Sequence, residues 1–185
     1  MHGSILANAD AIDRSKTDFY PTPKNVTVAL LDRLKIPKQY KIWECACGQG
    51  NMSKVISSYG YDVFSSDLYN TEYGENGIDF LLNDKKDTDM IITNPPFKLA
   101  EEFIRHSIDL QKPFAMLLKS QYWHSAKRRS LFEQFKPTHV FPLTWRPDFL
   151  FGQKSGSPTM ECIWTVWDKK SADFTIYEPL KKPEK

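Results

Sequence analysis

The strongest constraint on this chain is an alternation of short apolar segments with amphipathic segments, which begins at residue 40. The apolar segments have the length of strands and follow one another as YKIWEC, YDVFSSD, DMIITN, FAMLLK, THVFPLT and MECIWTVWD. The segments NMSKVISSYG, KLAEEFIRHSIDL and SAKRRSLFEQF carry apolar residues at helical spacing. Alternating strand and helix units predict a mostly parallel sheet with right-handed crossovers and helices on both faces. The pattern therefore predicts a three-layer α/β sandwich.

The segments that flank this alternation have patterns of their own. The stretch DFYPTP opens a helix in which Pro23 suits the first turn, and Pro37 is expected to end that helix. Between YDVFSSD and DMIITN only GIDFLL breaks a polar stretch, and no helix is predicted there. The predicted domain covers residues 17–170, between a flexible N-terminal arm at 1–16 and a polar C-terminal tail at 171–185 with a candidate short strand at FTIYE.

Composition limits the class of protein. A chain of 185 residues is long enough to bury one core without disulfides, so a single domain is expected. The net charge of +2 excludes a uniformly basic surface and permits a local basic patch. Three cysteines, an odd number, and the lack of an apolar leader predict a reduced, cytoplasmic protein. Cys45 and Cys47 have no second pair at zinc-site spacing, and no apolar run has membrane length, so neither a metal nor a membrane is expected.

The stretch WECACGQGN is the first with ligand-binding chemistry. A predicted strand ends in Glu44, and a loop of small residues with Gly48 and Gly50 leads into a helix. Glycines let the backbone approach a ligand closely, and a helix N-terminus offers free N–H groups. The third glycine of the dinucleotide fingerprint is absent. A nucleoside-type cofactor without a pyrophosphate is therefore favoured over NAD, and a plain glycine turn is the structural alternative.

Two acidic positions extend this candidate site. Asp67 ends the second strand, where doubly wound folds place an acidic residue against ribose hydroxyls. Without its spacing from the glycine loop, Asp67 would be interpreted as a helix cap or a solvated turn. Asp79 precedes Phe80, so a carboxylate able to accept from an exocyclic amine lies beside a ring able to stack on adenine. This pair is a weaker candidate, because Asp-Phe occurs freely in proteins.

The stretch NPPF is the least common feature of the sequence. Asn94 ends the strand DMIITN, which a doubly wound sheet places beside the first strand, where ligands bind. Pro95 and Pro96 fix the backbone and donate no hydrogen bonds, so the Asn94 amide oxygen and the Pro95 carbonyl are expected to be rigid acceptors. Both could accept from one –NH2 group while Phe97 stacks on the ring that bears it. That arrangement would turn the nitrogen lone pair outward as a nucleophile; a rigid loop with a core phenylalanine is the structural alternative.

Together, DFYPTP, ECACGQG, Asp67, GIDFL and NPPF resemble motifs X, I, II, III and IV of the S-adenosylmethionine-dependent amino-methyltransferases, in the order of the gamma group of N6-adenine DNA methyltransferases. The resemblance covers Asp18 to about Trp167. It implies a class I methyltransferase fold, which is Rossmann-like, with a mostly parallel seven-stranded sheet and an antiparallel last strand. In size the chain is similar to small methyltransferases of phages and prophages, and a phage-encoded protein would be expected in the host cytoplasm.

The resemblance also implies roles for individual residues. Asn94, Pro95, Pro96 and Phe97 would carry the methyl transfer. The residues implied to bind S-adenosylmethionine, which leaves as S-adenosylhomocysteine, are Tyr20, Thr22 and Pro23 at the methionine moiety, Glu44, Ala46, Gly48 and Gly50 at its middle, Asp67 at the ribose, Asp79 and Phe80 at the adenine, and Cys47 and Leu68 beside them.

Gamma-group enzymes usually append a target-recognition domain, and no separate one is expected in this chain. Recognition is therefore expected from two loops on the rim of the sheet, KSQYWHSAKRRS and WRPDFLFGQKSGSP, which combine aromatic and basic side chains. A solvated helix face is the structural alternative for the KRR run. The predicted substrate-binding residues are Lys119, Trp123, Lys127, Arg128, Trp145, Arg146, Phe149 and Lys154.

The sequence thus favours methyl transfer to an exocyclic amine of a nucleic-acid base, with adenine N6 in DNA as the first choice. An adenine within a duplex is out of reach, so base flipping or a single-stranded substrate is implied. Cytosine N4, an RNA base or a protein glutamine amide would use the same motif, although glutamine is less favoured because only a short arm precedes DFYPTP. A nucleic-acid-binding module without catalysis is the alternative from another class, and an NAD-dependent oxidoreductase ranks third. The oligomeric state is open, with a monomer as the default expectation.

Overall fold

The structure is a computed structural model, and it describes residues 20–150, 158–168 and 172–184. The helices in these ranges are α1 (Lys24–Arg33), α2 (Asn51–Ser58), α3 (Ala100–Asp109) and α4 (Arg129–Gln134). The strands are β1 (Lys41–Glu44), β2 (Asp62–Asp67), β3 (Glu75–Asn76), β4 (Met90–Thr93), β5 (Phe114–Lys119), β6 (His139–Pro142), β7 (Cys162–Trp167) and β8 (Ile176–Tyr177). Short 3-10 turns lie at Phe80–Leu82, Phe97–Leu99, Ser120–His124 and Ala126–Arg128.

The described strands form one sheet in the order β3-β2-β1-β4-β5-β7-β6-β8. β7 is antiparallel to both of its neighbours, and every other neighbouring pair is parallel. The predicted three-layer, Rossmann-like architecture is therefore confirmed, including the antiparallel strand late in the chain. The sheet has eight strands rather than seven, and β3 is the strand that no predicted segment covers.

The two shortest strands, β3 and β8, lie at the edges of the sheet. Both residues of β3 have exposed side chains, so no apolar alternation marks that strand. β8 lies at FTIYE, where the sequence predicts a candidate short strand, inside the 171–185 segment described above as a polar tail. Leu180 from the same segment is buried and packs in the hydrophobic core. The described part of this segment therefore packs on the sheet. The predicted arm at 1–16 lies outside the described residues.

Two helices are shorter than their sequence patterns predict. α1 begins directly after Pro23 but ends at Arg33, because Leu34 is already extended, so the helix stops well before Pro37. The stretch SAKRRSLFEQF is helical only over α4, because Ser125 is extended with φ of −103° and ψ of 120° and a 3-10 turn follows it.

Alternation along the central strands sends side chains into two cores, one on each face of the sheet. On β5, Phe114 and Met116 pack with residues of α3 and α4, whereas Ala115 and Leu117 pack with residues of α1 and α2. Trp164 is fully buried, and its indole N–H donates to the Val26 carbonyl of α1 at 2.9 Å. This packing holds the central strands in register, so that the residues at their carboxyl ends have fixed positions.

Candidate active site

Polar side chains gather where the central parallel strands end. Glu44 ends β1, Asp67 ends β2, Asn94 follows β4 and Lys119 ends β5. Because these strands are parallel, their carboxyl ends meet at one edge of the sheet, which is where open α/β sheets bind ligands. A cleft of about 760 Å³ opens there, and Glu44, Asp67 and Asn94 line it. Its volume is that of an ordinary small-molecule site.

Most of the predicted cofactor and catalytic residues share this cleft. Pro23, Gly48 and Gly50 are the exceptions, since they are buried next to residues that line it. The predicted residues that line the cleft are Tyr20, Thr22, Glu44, Ala46, Cys47, Asp67, Leu68, Asp79, Phe80, Asn94, Pro95, Pro96 and Phe97.

The two candidate aspartates each bind backbone N–H groups. Oδ2 of Asp67 accepts from the Gly48 N–H at 2.8 Å, and Oδ1 accepts from the Tyr69 N–H at 2.9 Å. Oδ1 of Asp79 accepts from the Leu81 N–H at 2.9 Å and so caps a 3-10 turn. Each carboxylate oxygen has more than one acceptor site, so these bonds leave capacity for a ligand hydroxyl or amine. Asp67 thus shapes the glycine loop and also faces the cleft.

The segment that follows β2 was not predicted to belong to the site, yet it lines the cleft. Residues 69–72 contribute to the wall, and the Tyr73 ring lies against the glycine loop. A β-carbon at Gly50 would lie 2.4 Å from that ring, and Gly50 has a φ of 76°, in the left-handed region. The only signal in the sequence is that this polar stretch directly follows Asp67.

Glu44 is a buried carboxyl in the wall of the cleft. Its side chain is 2% exposed and accepts a hydrogen bond from the Ser53 hydroxyl, whose oxygen lies 2.7 Å from Ser65 Oγ. Burial raises the pKa of Glu44 to about 8, the Ser53 hydrogen bond opposes the rise, and the charge of Asp67 adds to it. A cationic group bound nearby would favour the ionised carboxylate and bring that pKa down.

Replacing Glu44 with Gln is expected to alter the pH dependence of stability. The folded pKa of Glu44 is raised from 4.5 to about 8, so between these values the folded protein binds a proton that the unfolded chain lacks. Wild type should therefore lose stability from this group as pH rises from 4.5 to 8, and Glu44→Gln should not. In urea unfolding at pH 5.5, 7 and 8.5, the free energy of unfolding of the variant should increase relative to that of wild type as the pH rises.

A suitable control is Glu178→Gln, because Arg33 lowers the pKa of the Glu178 carboxyl. The ion pair between Arg33 and Glu178 is fully formed from pH 5.5 to 8.5. The difference in unfolding free energy between Glu178→Gln and wild type should therefore stay constant. A constant difference for Glu44→Gln as well would contradict the buried, proton-binding carboxyl.

Phe80 lines the cleft, but little of its ring is exposed for stacking. Its side chain is 2% exposed, and its ring centroid lies 4.7 Å from that of Phe103 and 5.0 Å from that of Trp43. The ring is a core side chain on the face of the sheet that carries α3. Ile78 and Leu81 also line the cleft and were not predicted. Apolar contact with a planar ligand would therefore come mainly from these neighbours.

The side-chain amide of Asn94 has a defined orientation. Nδ2 donates to the Tyr20 carbonyl at 3.1 Å and to Thr22 Oγ1 at 3.1 Å. A carbonyl oxygen can only accept, so the –NH2 group must face it and the amide oxygen must point the other way. That oxygen is buried and has no hydrogen-bond partner among the described residues. Buried acceptors without a partner are uncommon in proteins, and this one belongs to a residue of the cleft wall.

Aromatic rings and one ammonium group surround Phe97. The Phe97 and Tyr20 ring centroids are 5.3 Å apart with planes at 37°, and Lys119 Nζ lies 3.9 Å from the Phe97 centroid and 5.6 Å from that of Tyr20. Phe149 meets Tyr20 edge to face with centroids 5.9 Å apart. Such distances allow cation–π attraction, which holds Lys119 at the ring. Lys119 does not line the cleft itself, but its ammonium lies against Phe97, which does.

The predicted rim residues after β5 have different surroundings. Trp123 stacks on Phe132 with centroids 4.2 Å apart and planes at 10°. Arg128 lies over the Tyr122 ring at 3.8 Å and donates to the Tyr122 carbonyl at 3.2 Å, so it stabilises the turn itself. Lys127 is exposed. Of these three, Lys127 is the side chain with full access to solvent.

The predicted loop after β6 starts at the same edge of the sheet, because β6 runs parallel to the central strands. Arg146 is exposed and pairs with Glu161 at 2.8 Å, and Trp145 is partly buried against the core. Phe149 is a buried core side chain, which differs from the exposed rim position predicted for it. Periodicity could not reveal this burial, because the described residues around Phe149 form no helix or strand. Lys154 lies outside the described residues.

Other kinds of site find little support in the described ranges. No group of three or more His, Cys, Asp or Glu side chains there could hold a metal ion. Burial raises the pKa of the Cys47 thiol to about 12, which disfavours the reactive thiolate. No helix in those ranges is long and apolar enough to cross a membrane.

Several solved structures with a similar fold are named as methyltransferases. A methyltransferase subunit of a type I restriction-modification system from Streptococcus thermophilus superposes with a TM-score of 0.62 at 13% identity over 93% of this chain and 50% of its own. A structure from Listeria monocytogenes assigned to the class I S-adenosylmethionine-dependent methyltransferases gives 0.59 at 15% identity over 86% and 65%. A dimethyladenosine transferase from Plasmodium falciparum gives 0.58 at 13% identity over 81% and 62%.

The chain therefore has the fold of the class I methyltransferases, as the resemblance predicted. It spans about half the length of the restriction-modification subunit. Neither a protein-family model nor a curated protein matches it by sequence.

Proposed function

We propose that this protein transfers a methyl group from S-adenosylmethionine to an exocyclic amine of a nucleic-acid base, with adenine N6 in DNA as the first substrate. The observation that carries the proposal is the Asn94 amide, whose nitrogen is held by two acceptors and whose buried oxygen has no described partner. This oxygen lies beside two prolines and an aromatic ring in the cleft wall. An amine hydrogen is the natural partner for such an acceptor.

The cleft fits the cofactor that the fold implies. S-adenosylmethionine supplies an electrophilic methyl group and carries positive charge, a ribose and an adenine. Glu44 is a buried carboxyl able to ionise near a cation, Asp67 keeps acceptor capacity for hydroxyls, and Asp79 does so for an amine. Ile78 and Leu81 line the same wall and offer apolar surface. We infer that these residues hold the cofactor.

At the other end, the residues after β4 would prepare the amine. Asn94 Oδ1 would accept one amine hydrogen and the Pro95 carbonyl the other, which favours a pyramidal nitrogen whose lone pair attacks the methyl carbon. The amine nitrogen would bond to the methyl carbon that the cofactor supplies as that carbon leaves sulfur, and the amine would then release one proton to water. Phe97 would stack on the target ring. The amine nitrogen needs no metal and no strong base, because the methyl group is already activated.

Lys119 and the exposed Lys127 support a nucleic-acid substrate. The Lys119 ammonium lies 3.9 Å from the Phe97 centroid, and a cation beside the proposed stacking ring would attract a phosphate of the bound nucleotide. The names of two structural neighbours, a restriction-modification methyltransferase subunit and a dimethyladenosine transferase, point the same way. The base would have to be flipped out or single-stranded. Cytosine N4, an RNA base and a glutamine amide are the alternatives that share this chemistry.

The proposal is tested by supplying methyl-labelled S-adenosylmethionine with double-stranded DNA, single-stranded DNA, RNA and protein, followed by nucleoside mass spectrometry. We expect N6-methyldeoxyadenosine. N4-methyldeoxycytidine or N6-methyladenosine would change the substrate and leave the role of Asn94 intact. Cofactor binding without transfer to any polymer would favour the module without catalysis, and no cofactor binding at millimolar concentration would remove the proposal.

Lys119→Met should weaken binding of the nucleic-acid substrate more than binding of the cofactor. Methionine keeps the packing on Phe97 but removes the charge, so the KM for the polynucleotide should rise roughly tenfold, and the slope of log affinity against log salt should fall by about one. Lys86→Met is the matched control. The Lys86 side chain is 88% exposed, and the residue precedes β4, at the opposite edge of the sheet from the cleft. Equal effects from both variants, measured by titration at several salt concentrations, would contradict a role for Lys119.

A further inference from the structure

We propose that Thr22 is a positioning residue for Asn94. The hydroxyl oxygen of Thr22 fixes the plane of the Asn94 side-chain amide. This inference rests on the proposed function and deepens it. It also differs from the cofactor contact that the motif resemblance implies for Thr22. The contact that carries it is the bond from Asn94 Nδ2 to Thr22 Oγ1 at 3.1 Å.

The amide nitrogen of Asn94 is fully used by two acceptors. A primary amide has two N–H groups, and the Tyr20 carbonyl and Thr22 Oγ1 take one each, both at 3.1 Å. Thr22 is 5% exposed, so water cannot readily replace its oxygen. The two bonds join residues that are 74 and 72 positions apart in the chain, and no local turn would otherwise hold this side chain.

The two acceptors have separate tasks. The Tyr20 carbonyl decides which end of the amide faces it, because a flipped amide would set two oxygens against each other. A hydroxyl can donate or accept, so Thr22 cannot make that choice. The terminal torsion of asparagine is soft, however, and a single bond would leave the amide free to rotate about that contact. The second bond, to Thr22, fixes the plane and therefore the direction of Oδ1.

The positioning group is itself held by the core. Pro23, the next residue, precedes α1 with a φ of −60°, and its carbonyl accepts from the Val26 N–H at 3.0 Å. Val26 and Leu30 of α1 are fully buried and anchor this helix against the sheet. Thr22 is therefore attached to a rigid element on one side of the cleft and holds a side chain that comes from the other side.

Two substitutions at position 22 separate a positioning role from a cofactor contact. Thr22→Val keeps the shape and removes the acceptor, whereas Thr22→Ser keeps the hydroxyl. We expect Thr22→Val to lower the single-turnover rate of methyl transfer about tenfold with both substrates saturating, and Thr22→Ser to stay within about twofold of wild type. Calorimetry should show cofactor affinity within about threefold for both. Weaker cofactor binding with an unchanged saturated rate would overturn the inference in favour of a cofactor contact.

The role of Asn94 as intermediary is tested by combining variants. In the Asn94→Ala background, Thr22→Val should cause no further loss of rate, because the group it positions is gone. An additional tenfold loss would show that Thr22 acts independently, and the inference would fail. Thr27→Val is the matched control, since Thr27 is a buried threonine of α1 whose hydroxyl has no described partner.

A readout that needs no activity distinguishes this inference from the proposed function. The side-chain amide resonances of Asn94 can be assigned by their loss in Asn94→Ala. Thr22→Val should shift them and speed their hydrogen exchange, and Thr27→Val should not. Unchanged resonances in Thr22→Val would overturn the positioning role alone. Absence of transfer to any polymer in the wild type would instead remove the proposed function, and with it the catalytic meaning of this contact.

Discussion

Asn94→Ala is expected to lower the rate of methyl transfer by on the order of 10²–10³-fold, the range seen when one preorganised hydrogen-bonding group is removed from an active site. The alanine removes the only side-chain acceptor proposed for the target amine. Cofactor affinity should stay within about threefold, because the residues proposed for the cofactor lie on β1, β2 and the turn after β3. Single-turnover transfer of labelled methyl groups measures the first effect, and calorimetric titration measures the second.

Asn25→Ala is the matched control for this variant. Asn25 also has a buried amide oxygen with no partner among the described residues, but it lies on α1 and does not line the cleft. Its replacement should leave transfer within about twofold of wild type. A rate within a few-fold of wild type for Asn94→Ala would show that the amide does not act on the amine, and the proposed mechanism would have to be abandoned.

Asp67→Ala is expected to weaken cofactor binding on the order of 100-fold and also to destabilise the fold. The carboxylate is proposed to accept from ligand hydroxyls, and bonds to a charged group contribute about 1.5–3 kcal/mol each. The same change removes the acceptor of the Gly48 N–H, which lies 2.8 Å from Oδ2. A buried donor left without its partner costs about 1–3 kcal/mol of unfolding free energy. Calorimetry and urea unfolding measure the two effects.

Asp62→Ala provides the comparison for Asp67. Asp62 starts the same strand, is exposed, and lies at the end of β2 that is remote from the cleft. The Asp62→Ala substitution should change neither the free energy of cofactor binding nor that of unfolding by more than about 0.5 kcal/mol. If Asp67→Ala lost stability but bound the cofactor as wild type does, the aspartate would be a structural support for the glycine loop and nothing more.

The sheet was predictable because its strands are apolar enough to stand out. β4 and β5 are buried runs, and burial on both faces of a parallel sheet produces such runs. β8 was predicted as a candidate short strand at FTIYE, and it forms there as a two-residue edge strand. β3 was not predictable, since Glu75 and Asn76 are both exposed and carry no apolar alternation. Such a strand depends on tertiary pairing that local pattern does not encode.

The candidate site was predictable to the extent that it follows from strand ends. Asp67 and Asn94 both end or follow parallel strands, so topology alone brings them together. The aromatic positions were harder, because Phe80 and Phe149 are core side chains and composition cannot tell a buried ring from an exposed one. The contact between Thr22 and Asn94 had no local signal, since it joins residues 72 positions apart.

The packing of Tyr73 on the glycine loop has a consequence for how the cleft can vary. Position 50 is restricted twice, once by a φ of 76° and once by the ring that lies 2.4 Å from the place of a β-carbon. If the Tyr73 ring were lost, the positive φ at position 50 would still disfavour a side chain. If the backbone relaxed, the Tyr73 ring would still occupy the place of a β-carbon. Neither change alone opens the position to other amino acids. Neutral drift, which proceeds by single steps, should therefore leave Gly50 in place long after the surrounding surface has diverged.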